Sequence, residues 1–128
     1  MENKFELKKT FPVEPSEIYD AWLDSEIHAQ MTGGSATVST KENETFTAWD
    51  GYISGKNIKL VKDIEIIQTW RTTDFEANDH DSELIIKLKP IADGTELTLL
   101  HSNIPDGQPD YKQGWEDHYF TPMTTYFG

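Results

Sequence analysis

The 128-residue chain contains no cysteine, and none of its apolar runs approaches the roughly 20 residues of a membrane-spanning helix. Without cysteine there is no disulfide framework, no thiolate metal site and no cysteine nucleophile. The N-terminal segment MENKFELKK alternates charged and apolar residues and has no apolar centre of the kind that signal peptides carry. We therefore expect a cytoplasmic protein that does not span a membrane.

Basic side chains are scarce, because 11 Lys and Arg stand against 23 Asp and Glu, for a net charge of -12 at pH 7. The only dense basic cluster is Lys8 and Lys9. Nucleic-acid binding depends on basic side chains that displace counterions from phosphates, and anionic membranes attract basic segments. The charge balance thus argues against both partners and leaves small molecules and basic protein surfaces open.

Recognisable signatures of catalysis and metal binding are also missing. There is no Gly-x-Ser-x-Gly elbow for a serine nucleophile, and MTGGS has no Lys-Ser/Thr ending for a phosphate-binding loop. The four histidines have neither His-x3-His nor His-x-His spacing, and NDHDSE lacks the order of a calcium loop. We expect no metal, no cofactor and no catalytic residue, although a Ser/His/Asp set assembled in space would escape this search.

Short apolar segments separated by turn signals fill the middle of the chain and predict one curved antiparallel sheet. The dipeptide Asp50-Gly51 is a hairpin signal between two of these segments. The predicted strands span residues 4–11, 35–40, 44–49, 52–61, 65–71, 83–89 and 95–102.

Two short helices are predicted after the first strand. Ser16 is the expected N-cap of the first helix, because its hydroxyl can accept from the amides of the first turn. The second helix is expected to begin near Asp24 or Ser25 and to end at Gly33 and Gly34.

The closing segment GWEDHYFTPMTTYFG predicts an amphipathic helix with an unusually aromatic face. A rotation of about 100° per residue defines one apolar stripe. Its members are Tyr111, Trp115, Tyr119, Pro122, Met123 and Tyr126, with Phe120 and Phe127 on its edge. Pro122 lacks an amide hydrogen and crowds the carbonyl of His118, so we expect a kink or loosened turn there. Such a helix and the sheet would cover each other, which favours the α+β class.

Two polar residues fall on the covered face of the predicted sheet. Strand alternation places Gln68 beside Trp70 on that face, and His101 on the same face as Leu99. An unsatisfied buried polar group costs about 1–3 kcal/mol. Each of the two therefore either bonds to nearby loops or faces a cavity and orients a ligand there.

Four motifs, in order, carry a family resemblance: TAWDGYISGK, EIIQTWR, GTELTLLHSNIP and GWEDHYFTPMTTYFG. Together they resemble the activator of heat-shock protein 90 ATPase homologue family, which has the START-like (Bet v 1-like) helix-grip fold of the SRPBCC superfamily. The resemblance extends over the whole chain. It implies one domain, residues 1–128, whose curved antiparallel sheet wraps around a long C-terminal helix and leaves a hydrophobic cavity beneath it.

The resemblance also implies where a ligand would lie, between the strands and the closing helix, with the helix pair closing one end. The expected ligand-binding residues are Trp22, Met31, Trp49, Gln68, Trp70, Leu99, His101, Trp115, Tyr119 and Met123. The expected function is the binding of an apolar or aromatic small molecule by a monomer.

Two alternatives stay open. The first is a chaperone-associated interaction module, in which the acidic surface docks on a basic patch; we do not expect the separate N-terminal domain of the eukaryotic co-chaperone in this chain. The second is a cyclase or hydrolase of the same fold, with His101 as general acid or base because imidazole titrates near neutrality.

Overall fold

A computed structural model of the chain describes residues 3–127 and contains one six-stranded antiparallel sheet. The strands span Phe5–Phe11 (β1), Thr45–Ala48 (β2), Ile53–Val61 (β3), Glu65–Thr72 (β4), Ser82–Ile91 (β5) and Gly94–Ser102 (β6). In spatial order they are β1, β6, β5, β4, β3 and β2, so that the first strand lies beside the last. Helices α1 (Pro15–Trp22) and α2 (Ser25–Thr32) follow β1, and the C-terminal helix extends from Tyr111 to Phe127. This is the predicted α+β helix-grip architecture.

The alternation of side chains along the central strands is confirmed. In β4 every second residue is buried, including Ile66, Gln68 and Trp70, whereas Arg71 lies on the outer face. The same period places Leu99 and His101 of β6 in the core. The apolar face of the sheet is covered by the three helices, as their shared core cluster shows.

The prediction of a strand over residues 35–40 is wrong, because this segment makes only an isolated bridge between Thr37 and Thr47. Side chains from elsewhere satisfy its backbone instead. The amide of Val38 donates to the Ser25 hydroxyl at 2.9 Å, and the Asn57 side-chain amide donates to the carbonyls of residues 39 and 41 at 3.1 and 3.0 Å. Because these backbone groups are bonded to side chains, the segment stays irregular beside β2.

The two short helices begin differently. α2 follows the prediction: the Asp24 carboxylate accepts from the amide of Ile27 at 2.9 Å, and Gly33 ends the helix with φ 91°. α1 does not, because its N-cap is Glu14 without a side-chain bond, and Pro15 occupies the first helical position. Proline suits that position, since its missing N–H would have no helical partner. Ser16 therefore lies inside the helix and is not its cap.

The C-terminal helix contains a π-helical turn between two α-helical segments. α3 (Tyr111–Trp115) is followed by the π turn (Glu116–Phe120) and by α4 (Thr121–Phe127). The amide of Thr121 bonds to the carbonyl of Glu116, five residues back. This loosened turn immediately precedes Pro122, where a disturbance was predicted.

The π turn corrects the predicted apolar stripe. From the end of a π turn onwards, each residue lies about one residue, or roughly 100°, behind the position that an uninterrupted α-helix would give it. Phe120, which the sequence placed at the edge of the stripe, is consequently only 1% exposed. Tyr126, which the sequence placed within the stripe, is 43% exposed. No helix among residues 3–127 has both the length and the apolarity required to cross a membrane.

Candidate ligand cavity

A cavity of about 360 Å³ lies between the sheet and the first half of the C-terminal helix. Most of its wall is aromatic, formed by Trp49, Tyr52, Trp70, Tyr111, Trp115 and Tyr119. The remaining lining residues are Ile53, Pro109, Asp110, Gly114 and His118. A wall of this kind provides broad apolar surfaces for a ligand.

Helical spacing explains why one side of the cavity belongs to the C-terminal helix. The lining positions 111, 114, 115, 118 and 119 follow the i, i+3, i+4, i+7, i+8 pattern of a single helix face. A Cβ atom added at Gly114 would meet nothing within 4 Å. This glycine therefore leaves open space beside the wall, at a position where a larger side chain can be accommodated.

The hairpin between β2 and β3 supplies the opposite rim. Trp49, Asp50 and Gly51 all adopt positive φ, of 51°, 59° and 89°, and this turn directs both Trp49 and Tyr52 to the cavity. A Cβ at Gly34 would meet the Trp49 ring at 2.5 Å, so the indole is packed directly on this glycine. His118, exposed on the helix, meets the Trp49 ring across 5.4 Å at 69°.

The rings of the wall pack against one another. Trp70 and Tyr111 have ring centroids 4.9 Å apart and planes inclined by 81°. Trp115 and Tyr119 lie 4.7 Å apart, and Trp22 stacks on Trp115 from outside the cavity at 6.2 Å. These contacts fix the shape of the wall in the absence of a ligand.

His28 holds the Tyr119 ring from the core side. The Nδ1 atom of His28 lies 2.9 Å from the carbonyl oxygen of Trp22, and its Nε2 lies 2.9 Å from the Tyr119 hydroxyl. Because a carbonyl only accepts, Nδ1 carries the proton and Nε2 accepts from Tyr119. Burial lowers the pKa of His28, while the bond to Trp22 opposes this shift; burial also raises the pKa of Tyr119. Both groups are therefore neutral at pH 7.

His101 occupies a similar position behind Trp115. The indole N–H of Trp115 donates to Nδ1 of His101 at 3.1 Å, so the neutral ring carries its proton on Nε2. Nε2 donates to the Ser82 hydroxyl at 2.8 Å, and that hydroxyl donates to the carbonyl of Trp70 at 2.6 Å. Burial lowers the pKa of His101 to about 3.

This arrangement brings a serine and a histidine together without the chemistry of a hydrolase. A general base needs a free ring nitrogen that accepts the proton of the serine, but Nε2 of His101 donates to Ser82. Both ring nitrogens are occupied, and neither Ser82 nor His101 lines the cavity. The geometry does not support the predicted role of His101 as an acid–base catalyst.

A hydrogen-bonded network connects the hydroxyl groups of the lining residues Tyr52 and Tyr111 to residues outside the cavity. The Tyr111 hydroxyl donates to Oε1 of Gln108 at 2.7 Å and accepts from Thr72 at 2.7 Å. The side-chain amide of Gln108 donates to the backbone carbonyl of Asp74 at 3.1 Å. The Tyr52 hydroxyl donates to the side-chain carboxylate of Asp74 at 2.5 Å. Burial, foremost, raises the pKa of both tyrosines. The network thus joins β4 to the loop before α3.

Four of the expected ligand-binding residues line the cavity, namely Trp49, Trp70, Trp115 and Tyr119. The other six lie in the core around it, namely Trp22, Met31, Gln68, Leu99, His101 and Met123. Gln68 is satisfied by a bond from its Nε2 to Oδ1 of Asn57 at 2.8 Å, and Asn57 reaches the loop carbonyls noted above. Gln68 and His101 therefore support the wall, and neither faces the cavity.

Seven lining residues were absent from the expected set: Tyr52, Ile53, Pro109, Asp110, Tyr111, Gly114 and His118. The helical spacing from Tyr111 would have identified Gly114 and His118. Pro109 and Asp110 precede the helix in a loop without periodicity, so no comparable signal marks them. Within residues 3–127, no group of three His, Cys, Asp or Glu side chains comes together as a metal site would require.

Comparisons with known proteins agree with the fold and confirm the family resemblance. The family described as "Activator of Hsp90 ATPase homolog 1-like protein" matches residues 12–128. An activator of 90 kDa heat shock protein ATPase homolog from Dictyostelium discoideum is 27% identical over 114 residues, which cover 86% of this chain and 29% of the relative. A mouse homolog 2 of the same activator is 24% identical over 115 residues, covering 89% of this chain and 34% of the relative.

A solved structure shares the fold closely. The crystal structure of an HSP90 activator from Plasmodium falciparum superimposes with a TM-score of 0.88 at 22% identity, covering 96% of this chain and 94% of that one. The chain spans about a third of the length of the curated relatives that it matches.

Proposed function

This chain belongs to the family of Activator of Hsp90 ATPase homolog 1-like proteins, and we propose that it binds an apolar or aromatic small molecule between its sheet and its C-terminal helix. The observation that carries the proposal is the cavity of about 360 Å³, walled by six aromatic side chains. Its volume lies within the range of about 300–1,000 Å³ that is usual for ligand pockets.

The aromatic wall favours binding through the burial of apolar ligand surface. Each Å² of apolar surface removed from water contributes about 25 cal/mol. The hydroxyl of Tyr119 and the indole N–H of Trp115 are already bonded to His28 and His101, so the ligand need not satisfy them. Because the wall is preformed, little conformational entropy is lost on binding.

Gly114 offers a direct test, because a side chain there enters open space. In Gly114→Leu the isobutyl group should occupy part of the cavity, whereas Gly114→Ala adds only one methyl group. The probe is the neutral dye N-phenyl-1-naphthylamine, whose fluorescence increases in apolar sites. We expect the wild type and Gly114→Ala to bind the dye and Gly114→Leu to lose at least tenfold in affinity.

Thermal unfolding of both variants controls for folding. A Gly114→Leu variant that unfolds at or above the wild-type temperature and still binds the dye with unchanged affinity would contradict binding at this cavity. Absence of dye binding by the wild type, at concentrations up to its solubility, would contradict the proposal as well.

A second candidate is an interaction with the 90 kDa heat shock protein, supported by the family and by the names of the Dictyostelium and mouse relatives. The chain has 23 acidic and 11 basic residues, and this excess of negative charge would favour docking on a basic surface of the partner. The test is the ATPase rate of the purified chaperone with and without this chain, at low and high salt. A salt-sensitive increase in rate is expected; an unchanged rate together with no salt-sensitive association in pull-down would overturn this candidate.

A further inference from the structure

The cavity wall combines many aromatic rings with a one-sided distribution of charge. Neither Lys nor Arg is among its lining residues, and Asp110 contributes a carboxylate at the rim. The Asp74 carboxylate, which is not itself a lining residue, accepts from the hydroxyl of the lining residue Tyr52. His118 is the one lining residue that could offer an anion a cationic donor, and its ring lies against Trp49. A cation would meet six aromatic side chains and the Asp110 carboxylate.

The basic residue nearest along β4 is directed elsewhere. Arg71 follows Trp70 and so lies on the opposite face of the sheet. Its guanidinium is bonded to the Asp81 carboxylate at 2.7 Å and to the backbone carbonyls of Glu76 and Asp79 at 2.9 and 3.2 Å. These bonds hold its charge on the loop after β4, where the guanidinium lies over the Phe75 ring at 5.4 Å. Arg71 is consequently not among the lining residues.

The N-terminus of α3, which lies at the cavity, does not make the cavity favourable for anions. The start of a helix carries a partial positive charge that favours anions. Here the Asp110 side chain already accepts from the amide of Gln113 at 3.1 Å, and its full negative charge exceeds the partial charge of the terminus. The net charge of -12 adds a long-range field of the same sign.

From this arrangement we infer that the cavity selects an organic cation, in which an apolar or aromatic body carries an ammonium group. The negative faces of Trp and Tyr rings attract such a group, most strongly where water is excluded. Trp49, Trp70 and Trp115 provide three indole rings for this contact, and Asp110 at the rim attracts the charge. The inference rests on the proposed function and specifies its ligand class.

Three probes of nearly equal shape separate charge from burial: benzyltrimethylammonium, its neutral carbon analogue neopentylbenzene, and the anion phenylmethanesulfonate. Each is titrated against the wild type by competition with N-phenyl-1-naphthylamine and by intrinsic tryptophan fluorescence. We expect the cation to bind about 3- to 30-fold more tightly than the neutral analogue, and the sulfonate to bind more weakly than both.

Asp110→Asn tests the carboxylate without removing the helix cap, because Asn caps as well as Asp. It should weaken binding of the cation several-fold and leave the neutral analogue unchanged. Asp93→Asn is the matched control, since it removes the same charge from the exposed β5–β6 turn, at the opposite end of β5 from the Trp70 pairing. It should preserve both affinities.

Different results would overturn the charge selectivity and the small-molecule binding itself. If the neutral analogue binds as tightly as the cation, or Asp110→Asn weakens both equally, the charge selectivity is overturned and apolar binding stands. If neither the cation nor the neutral analogue displaces the dye, and the dye itself does not bind, the small-molecule function is overturned with it.

Discussion

The indole N–H of Trp115 donates to Nδ1 of His101 across 3.1 Å, and this bond ties the C-terminal helix to β6. It joins a wall of the cavity to a histidine that is completely buried. Nε2 of His101 donates a hydrogen bond to the Ser82 hydroxyl, which donates in turn to the backbone carbonyl of Trp70. The two tryptophans of the wall are thus connected through one neutral imidazole.

Trp115→Phe should destabilise the protein although it keeps an aromatic ring. The substitution removes the donor to Nδ1 of His101 and leaves a buried acceptor unsatisfied, at a cost of about 1–3 kcal/mol. Trp115→Ala should cost more, about 3–5 kcal/mol, because it also leaves a cavity in the core. Urea unfolding followed by circular dichroism measures both values.

Trp49→Phe is the matched control for the lost hydrogen bond. The indole N–H of Trp49 has no hydrogen-bond partner within residues 3–127, so the same exchange there should cost less than Trp115→Phe. Equal losses at the two positions would show that ring size, and not the bond to His101, determines the effect.

His101 should make stability depend on pH. Its pKa is about 3 in the folded protein, below the ordinary value of 6.5. Below pH 6.5 the unfolded chain therefore takes up a proton that the folded chain does not, so stability falls as pH decreases from 6.5 towards 3. The loss approaches about 1.4 kcal/mol per pH unit.

The His101→Asn variant should lower this slope between pH 6.5 and 5, measured by urea unfolding at several pH values. Asn has an oxygen that can accept from Trp115 but has no titrating group. A slope in His101→Asn equal to that of the wild type would rule out this source of pH dependence.

Tyr119→Phe should destabilise the protein by about 1–3 kcal/mol, because Nε2 of the buried His28 loses its donor. Tyr126→Phe is the comparison, since Tyr126 is largely exposed and should tolerate the change within about 0.5 kcal/mol. Thermal unfolding of both variants at pH 7.5 measures the difference. Comparable effects would mean that the bond to His28 adds nothing.

Two glycines should respond oppositely to alanine. At Gly55 an added Cβ would lie 1.9 Å from the carbonyl oxygen of Thr69 on the neighbouring strand, so Gly55→Ala should destabilise by about 1–3 kcal/mol. At Gly114 the same methyl meets nothing within 4 Å, and alanine should stabilise the helix by up to about 1 kcal/mol. Unfolding in urea measures both; a destabilised Gly114→Ala would contradict the open space described there.

Local rules predicted the elements whose causes are local. The alternation that buries Gln68 and Trp70 depends only on the period of a strand, and the bounds of α2 follow from Asp24 and Gly33. The family motifs added the order of the elements and the position of the cavity. The π turn was foreseen only as a disturbance near Pro122.

What escaped prediction depends on contacts between distant parts of the chain. Whether His101 faces a cavity or a bonded partner was decided by Ser82 and Trp115, 19 and 14 residues away. The failure of the strand over residues 35–40 likewise follows from Ser25 and Asn57, whose side chains occupy its backbone. Strand and helix periodicity carry no information on such pairings.

The π turn separates the part of the C-terminal helix that lines the cavity from the part that packs in the core. Before it, Tyr111 and Trp115 form cavity wall; at its end and beyond, Phe120 and Phe127 pack against the Phe11 ring of β1, with centroids 6.3 and 5.9 Å away. The extra residue of the turn sets the rotation of the second half without altering the first. The half after the π turn is therefore held in the core by Phe11. Substitutions in the half before the turn can change the lining of the cavity without changing that packing.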